Sequence, residues 1–147
     1  MQRVAPGFVQ QPPNGTAESA IITSPSRQPS LLLLSDDDAL SSLVGSTVEA
    51  PWQIARRSGI AGGADLFDRN LRLVVLDDSA VPEDHRGWLL AQIRKYFPPP
   101  RLMYIAGAHD DETEKRARTG GADYYMAKPI DHARLANVLG SFLKIYK

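Results

Sequence analysis

Apolar residues in this chain follow two rhythms, and the two alternate. "SLLLLS" (30–35), "LRLVVL" (71–76) and "RLMYIA" (101–106) are short, continuous apolar runs between polar residues. That is the pattern of strands buried on both faces. "WQIARR" (52–57) is a weaker strand, and "DYYMAKP" (123–129) is a last short one. Between them, "DDALSSLVGSTV" (37–48) carries Leu40, Leu43 and Val44 at helical spacing, with Asp37 or Asp38 as N-cap. "GIAGGADLFDRN" (59–70) suggests a short helix, against the preference of its glycines. "DHRGWLLAQIRKYF" (84–97) predicts a helix with Trp88, Leu89, Ile93 and Phe97 as packing residues on one face. Prolines 98–100 stop it before the next strand. "DDETEKRARTGGA" (110–122) runs from acids through bases to glycines, the order the helix dipole favours. "DHARLANVLGSFLKIY" (131–146) is an amphipathic helix with Asp131 as N-cap.

Five strands alternating with five helices predict an α/β doubly wound sandwich built on a parallel sheet. In such sheets ligands collect at the carboxyl ends of the strands. Residues 1–30, rich in Pro, Gln, Ser, Gly and Thr, read as a disordered tail or linker in which Ile21 and Ile22 dock locally. Residues 31–147 read as one domain.

Charge narrows the function classes. The 17 basic and 17 acidic residues balance, so binding to nucleic acid or a membrane surface through net charge is not expected. The absence of Cys removes thiolate nucleophiles and zinc–thiolate sites. No apolar run reaches the roughly 20 residues of a membrane helix, and the first residues carry no secretory h-region. A soluble, cytoplasmic protein is expected. His85, His109 and His132 lack metal-ligand spacing and a partner motif.

The predicted strand ends supply Ser35, Asp36 and Asp37, then Asp77 and Asp78, then Ala106 and Gly107, and finally Lys128–Pro129. Carboxylates gathered on one rim repel unless a cation sits among them. A hard divalent ion such as Mg²⁺ meets that need. Aspartate, divalent ion and lysine together can carry phosphoryl transfer, with a nucleophile and charges for the transferring oxygens.

These segments resemble the receiver domain of two-component response regulators. "LLLLSDDDAL", "DSAVP", "RLMYIA" and above all "GGADYYMAKP" carry the resemblance, over about 31–143. It implies a flavodoxin-like fold with strand order 2-1-3-4-5 and helices on both faces. It also implies Asp78 as phosphoacceptor, with Pro82 four positions on, and Lys128 as its cationic partner. Asp36, Asp78 and the Ala80 carbonyl would hold Mg²⁺, Tyr125 would be the switch aromatic, and Pro129 would support the lysine.

Spacing to Pro82, Ala106 and Lys128 favours Asp78 over Asp77, which needs one more loop residue and reads as a solvated or capping acid. Two residues depart from the family pattern. Ser35 replaces the first acid, and Ala106 replaces the switch Ser or Thr, so no hydroxyl there draws in the fourth-strand loop. The implied function is a signalling domain, not an enzyme beyond its own phosphorylation and dephosphorylation. It would be a phosphoprotein taking its phosphoryl group from a sensor histidine kinase or phosphotransfer protein and passing the signal to a downstream protein, with a homodimer also compatible. Ser35 and Ala106 motivate an alternative, a pseudo-receiver that binds partners without phosphorylation. A dehalogenase-like phosphatase, suggested by Asp36 and Asp38 in "SDDDAL", ranks below both, because Leu40 stands where that family expects Thr or Val.

Overall fold

The structure, a computed structural model, describes residues 28–58, 70–96 and 98–144. The tail and the helix suggested over 59–70 fall outside those residues, apart from their last few positions. So does Phe97.

The described elements are β1 (Ser30–Leu34), α1 (Asp38–Thr47), β2 (Gln53–Arg57), β3 (Leu71–Asp77), α2 (Glu83–Lys95), β4 (Arg101–Ala106), α3 (Asp111–Thr119), β5 (Tyr124–Ala127) and α4 (His132–Lys144). A 3₁₀ turn, Asp78–Ala80, links β3 to the segment before α2. All strand pairs are parallel and the sheet order is β2-β1-β3-β4-β5. This is the doubly wound flavodoxin-like sandwich, with strand order 2-1-3-4-5.

The apolar runs are continuous because both faces of the central strands are covered. Strand side chains alternate between faces, and two separate cores result. Leu32, Leu34, Val74, Leu76, Leu102 and Tyr104 pack with Leu89, Leu90 and Ile93 of α2 and Ala117 of α3. Leu31, Leu33, Leu73, Val75, Met103 and Ile105 pack on the other face with Leu40 and Val44 of α1 and Leu135, Leu139 and Leu143 of α4. Full burial of a leucine is worth about 1.5–3 kcal/mol over leaving it exposed, so the seven buried leucines of β1 and β3, with the helix leucines facing them, fix both register and face. The Trp88 expectation fails. It is 49% exposed on α2, whose apolar stripe runs through Leu89, Leu90 and Ile93 instead.

Helix starts follow the caps. Asp37 accepts hydrogen bonds from the N–H groups of Ala39 and Leu40, and Asp131 accepts one from Arg134 N–H. The acids of α3 lie in its first turn and Arg116 and Arg118 in its last, the arrangement its macrodipole stabilises. Among the described residues no helix is long and apolar enough to cross a membrane.

Candidate functional site

The carboxyl ends of β1, β3, β4 and β5 converge because all four strands are parallel and adjacent. Side-chain parity then sorts what those ends carry. Ser35 continues the Leu31, Leu33 face of β1, Asp77 continues the Leu73, Val75 face of β3, and Lys128 continues the Tyr124, Met126 face of β5. All three therefore meet on the side of the sheet covered by α1 and α4.

Lys128 Nζ lies 2.9 Å from Asp77 Oδ2 and 3.1 Å from Asp37 Oδ2. Ser35 Oγ donates to the same Asp77 oxygen at 2.7 Å, and its own oxygen accepts from Asp37 N–H at 2.9 Å. Asp77 Oδ1 accepts from Ser79 N–H at 3.1 Å, which caps the 3₁₀ turn. Asp77 is 1% exposed, so this is a buried carboxylate with a charged partner and two further donors, as burial of a charge demands. Burial works against the Lys128 charge, but the hydrogen bonds and attraction of Asp77 and Asp37 outweigh it and hold the ammonium above the usual lysine range. Asp37 is held below the usual carboxylate range, first by the Leu40 N–H and then by Lys128. The Lys128–Pro129 peptide bond is cis.

Asp78 has the opposite parity and faces α2 and α3. Its Oδ1 accepts from Gly107 N–H at 2.8 Å and its Oδ2 from the Tyr104 hydroxyl at 2.9 Å. Arg86 Nη1 stands 3.9 Å from that oxygen, while Arg86 Nη2 donates to the Asp78 carbonyl at 2.8 Å. Asp78 is 4% exposed. Burial, and then the bond to the Asp78 carboxylate, push the Tyr104 hydroxyl well above the usual tyrosine range. Tyr125 stacks on Tyr104 with centroids 6.0 Å apart. Its hydroxyl meets His109 Nδ1 at 3.2 Å, and His109 Nε2 meets Asp111 at 3.1 Å. Burial raises the Tyr125 hydroxyl too.

The structure therefore redistributes the site residues named from sequence. Lys128 pairs with Asp77 and not with Asp78, and Asp77 is neither solvated nor only a cap. The physical reason is that β3 runs through Asp77 and Asp78 opens a 3₁₀ turn, which supplies the extra residue before Pro82. Asp37 both caps α1 and reaches Lys128, whereas Asp36 is exposed at the rim. Ala80 ends the 3₁₀ turn, and the same two-residue offset taken from Asp77 lands on Ser79. Ala106 is buried on the Tyr104 side, and Tyr125 is buried beside it. Tyr104, Arg86 and His109 were not singled out as site residues from sequence. Tyr104 was legible in principle, two positions before Ala106 and on the same strand face.

The side chains at this rim, Ser35, Asp36, Asp37 and Asp77, offer carboxylate and hydroxyl oxygens, the kind of ligand atom a hard divalent ion takes. The set is one acid short at Ser35. Among the described residues, the His, Asp and Glu side chains whose ligating atoms converge within 4.8 Å as a set of three are His109, Asp111 and Glu114, at the start of α3.

No protein-family model matches the chain, and no curated protein does. Solved structures do. A response regulator from Thermotoga maritima superposes with a TM-score of 0.65 at 16% identity, over 80% of this chain and 98% of its own. Each of the structures named here is a response regulator or its receiver domain. The chain has the receiver fold. A CheY-like receiver domain from Methanospirillum hungatei aligns at 0.65 and 19% identity, over 80% and 95% of the two chains. The BeF₃-activated receiver domain of DrrB, a Thermotoga maritima protein, aligns at 0.67 and 19% identity, over 80% and 98%. The five-stranded parallel sheet with its helices is the shared part, and in this chain the Asp77–Asp78 pair lies at the carboxyl end of its β3.

Proposed function

We propose that this receiver takes a phosphoryl group from a phosphohistidine of a kinase or phosphotransfer protein onto Asp77, and through it alters a protein-binding surface. The observation that carries the reading is the 2.9 Å contact of Lys128 with the Asp77 carboxylate at the ends of β5 and β3. Asp77 has a lysine ammonium in direct contact, the cation a transferring phosphoryl group needs, whereas the cation nearest Asp78, Arg86, stands 3.9 Å from its carboxylate and is tied to backbone carbonyls.

In the transfer, Asp77 Oδ1 attacks phosphorus and the P–N bond breaks, its electron pair returning to the imidazole. Oδ1 is the more suitable oxygen because it accepts only from Ser79 N–H, whereas Oδ2 accepts from both Ser35 and Lys128. As negative charge gathers on the phosphoryl oxygens, Lys128 shifts from the carboxylate towards them. Asp37 keeps the ammonium charged and anchored meanwhile. Asp36 and Asp77 would hold Mg²⁺, which when bound supplies further positive charge to those oxygens. Ser35 lowers the negative charge offered to the ion, so a weaker ion affinity than an all-acid rim follows.

Incubation with acetyl phosphate and Mg²⁺, followed by intact mass, tests this. A gain of one phosphoryl group that is removed by alkali or hydroxylamine, as an acyl phosphate is, is the expected result. A second reading, a phosphorylation-independent interaction module, is favoured by the burial of Asp77 and by Ala106 in place of a hydroxyl. An unmodified mass under conditions that modify another receiver would establish it instead.

A further inference from the structure

The mechanism leaves one buried carboxylate unused, that of Asp78. Its surroundings are those of a bound anion. Both oxygens accept hydrogen bonds from β4 or from the residue just after it, Tyr104 Oη at 2.9 Å and Gly107 N–H at 2.8 Å. Arg86 of α2 adds positive charge at 3.9 Å and ties down the turn by donating to the carbonyls of Asp78, at 2.8 Å, and Val81, at 3.0 Å. The approach is close enough that a Cβ on Gly107 would lie 2.6 Å from Ser79 Oγ and 3.5 Å from Asp78 Oδ1. A side chain at 107 would therefore have to turn the Ser79 hydroxyl aside, so the β4–α3 connection lies directly against the Asp78–Ala80 turn.

The geometry points to Asp78 as a positioning residue, an internal anionic ligand that holds the β4–α3 connection against the end of β3 without any phosphoryl group on Asp77. A backbone N–H serves one strong acceptor at a time, and the Gly107 donor is already committed. A charge-assisted hydrogen bond to a carboxylate is among the stronger ones, and burial strengthens it further. Ala106 offers no hydroxyl to compete for that role. The Asp78 carboxylate therefore does for this connection what a hydroxyl on residue 106 cannot. The connection leads directly into α3 at Asp111, and Tyr104, which shares the carboxylate, also lines the roughly 570 Å³ groove between α2 and α3 with Arg86, Leu90 and Ala117. Asp78 thus fixes both the start of α3 and one wall of that groove.

The proposal rests on the receiver reading only for its contrast with phosphorylation, and the decisive comparison needs no phosphoryl group. Amide hydrogen exchange, resolved at Gly107 by NMR, is measured in the whole chain, in Asp78→Ala and in Asp78→Asn, each with and without beryllofluoride plus Mg²⁺. In the unmodified protein Gly107 N–H is expected to be protected and to stay so on adding beryllofluoride. In Asp78→Ala its exchange should rise about tenfold or more, as for a local opening, while the amides of Leu33 and Val75 stay unchanged. Asp78→Asn, which keeps an acceptor and the volume, should restore part of the protection. Beryllofluoride should restore it in Asp78→Ala, where the N–H is free to take a new acceptor. An unprotected Gly107 N–H in the unmodified protein, or no local change in either variant, overturns the proposal. If beryllofluoride fails to bind any form, the reading of Asp77 as acceptor falls, and the comparison of the unliganded forms still decides the role of Asp78.

Discussion

Lys128 holds two carboxylates with one ammonium, and that arrangement has a measurable cost when it is broken. Lys128→Met would leave Asp77 as a buried charge with only Ser35 and Ser79 as donors. The expected destabilisation is on the order of 3 kcal/mol, by analogy with other buried pairs deprived of one member. Urea denaturation of the variant at neutral pH measures it, and a change within about 0.5 kcal/mol would place Asp77 in contact with water rather than with Lys128. The pH dependence has a definite sign. Lys128 is held above the usual lysine range, so its stabilisation is complete below that range and drains away as pH rises through the raised value. Asp37 is held below the usual carboxylate range, so its contribution is complete above that range and is lost as pH falls through the lowered value. A plateau of the urea midpoint between those limits is expected. Asp37→Ala should remove part of the acid limb and, because Asp37 helps hold the Lys128 ammonium above the usual lysine range, should also move the alkaline fall to lower pH.

At the scale of elements, α1 and β1 carry the most direct tests. Asp37 caps α1 through two backbone N–H groups, so Asp37→Ala should cost about 1 kcal/mol from the cap. Asp36→Ala, at an exposed position one residue earlier, should stay within about 0.5 kcal/mol. Leu33→Ala, in a strand position 1% exposed, should cost about 2–5 kcal/mol. Equal losses in the Asp36 and Asp37 variants would contradict the cap assignment.

These elements also show what the sequence made legible. Continuous apolar runs announced β1, β3 and β4 because both sheet faces are covered, and the acid-to-base order announced α3. The lone weak strand, β2, was legible only through its neighbours, since four of its five residues are exposed. The acid pair was harder. Counting residues to Pro82 favoured Asp78, because a 3₁₀ turn that absorbs one residue leaves no mark in composition. Parity tells which of the two acids reaches Lys128, which the count does not. Val75 and Asp77 share a face with Met126 and Lys128, while Leu76 and Asp78 share one with Tyr104. Trp88 was misplaced for a related reason. A helix with three buried positions tolerates a large aromatic beside its stripe, and helical spacing alone does not say which edge of the stripe meets water.

For the whole molecule, the sheet sets which perturbations stay local. Trp88 stands outside both cores, so Trp88→Ala should leave the urea midpoint nearly unchanged, within about 0.5 kcal/mol, and mark any binding surface it belongs to by a loss of partner affinity instead. The two cores lie on opposite faces of one five-stranded sheet, and the two acids at the end of β3 divide between those faces. Asp77 belongs to the α1–α4 side with Lys128, and Asp78 to the α2–α3 side with Tyr104 and Arg86. On the function proposed, that division would separate a site for chemistry from a site that holds the adjoining connection. Its most direct test is the location of the acyl phosphate. The chain, Asp77→Asn and Asp78→Asn are each incubated with acetyl phosphate and Mg²⁺ and measured by intact mass. The account predicts a phosphoryl gain in the unmodified protein and in Asp78→Asn, and none in Asp77→Asn. A gain that persists in Asp77→Asn and vanishes in Asp78→Asn would contradict it.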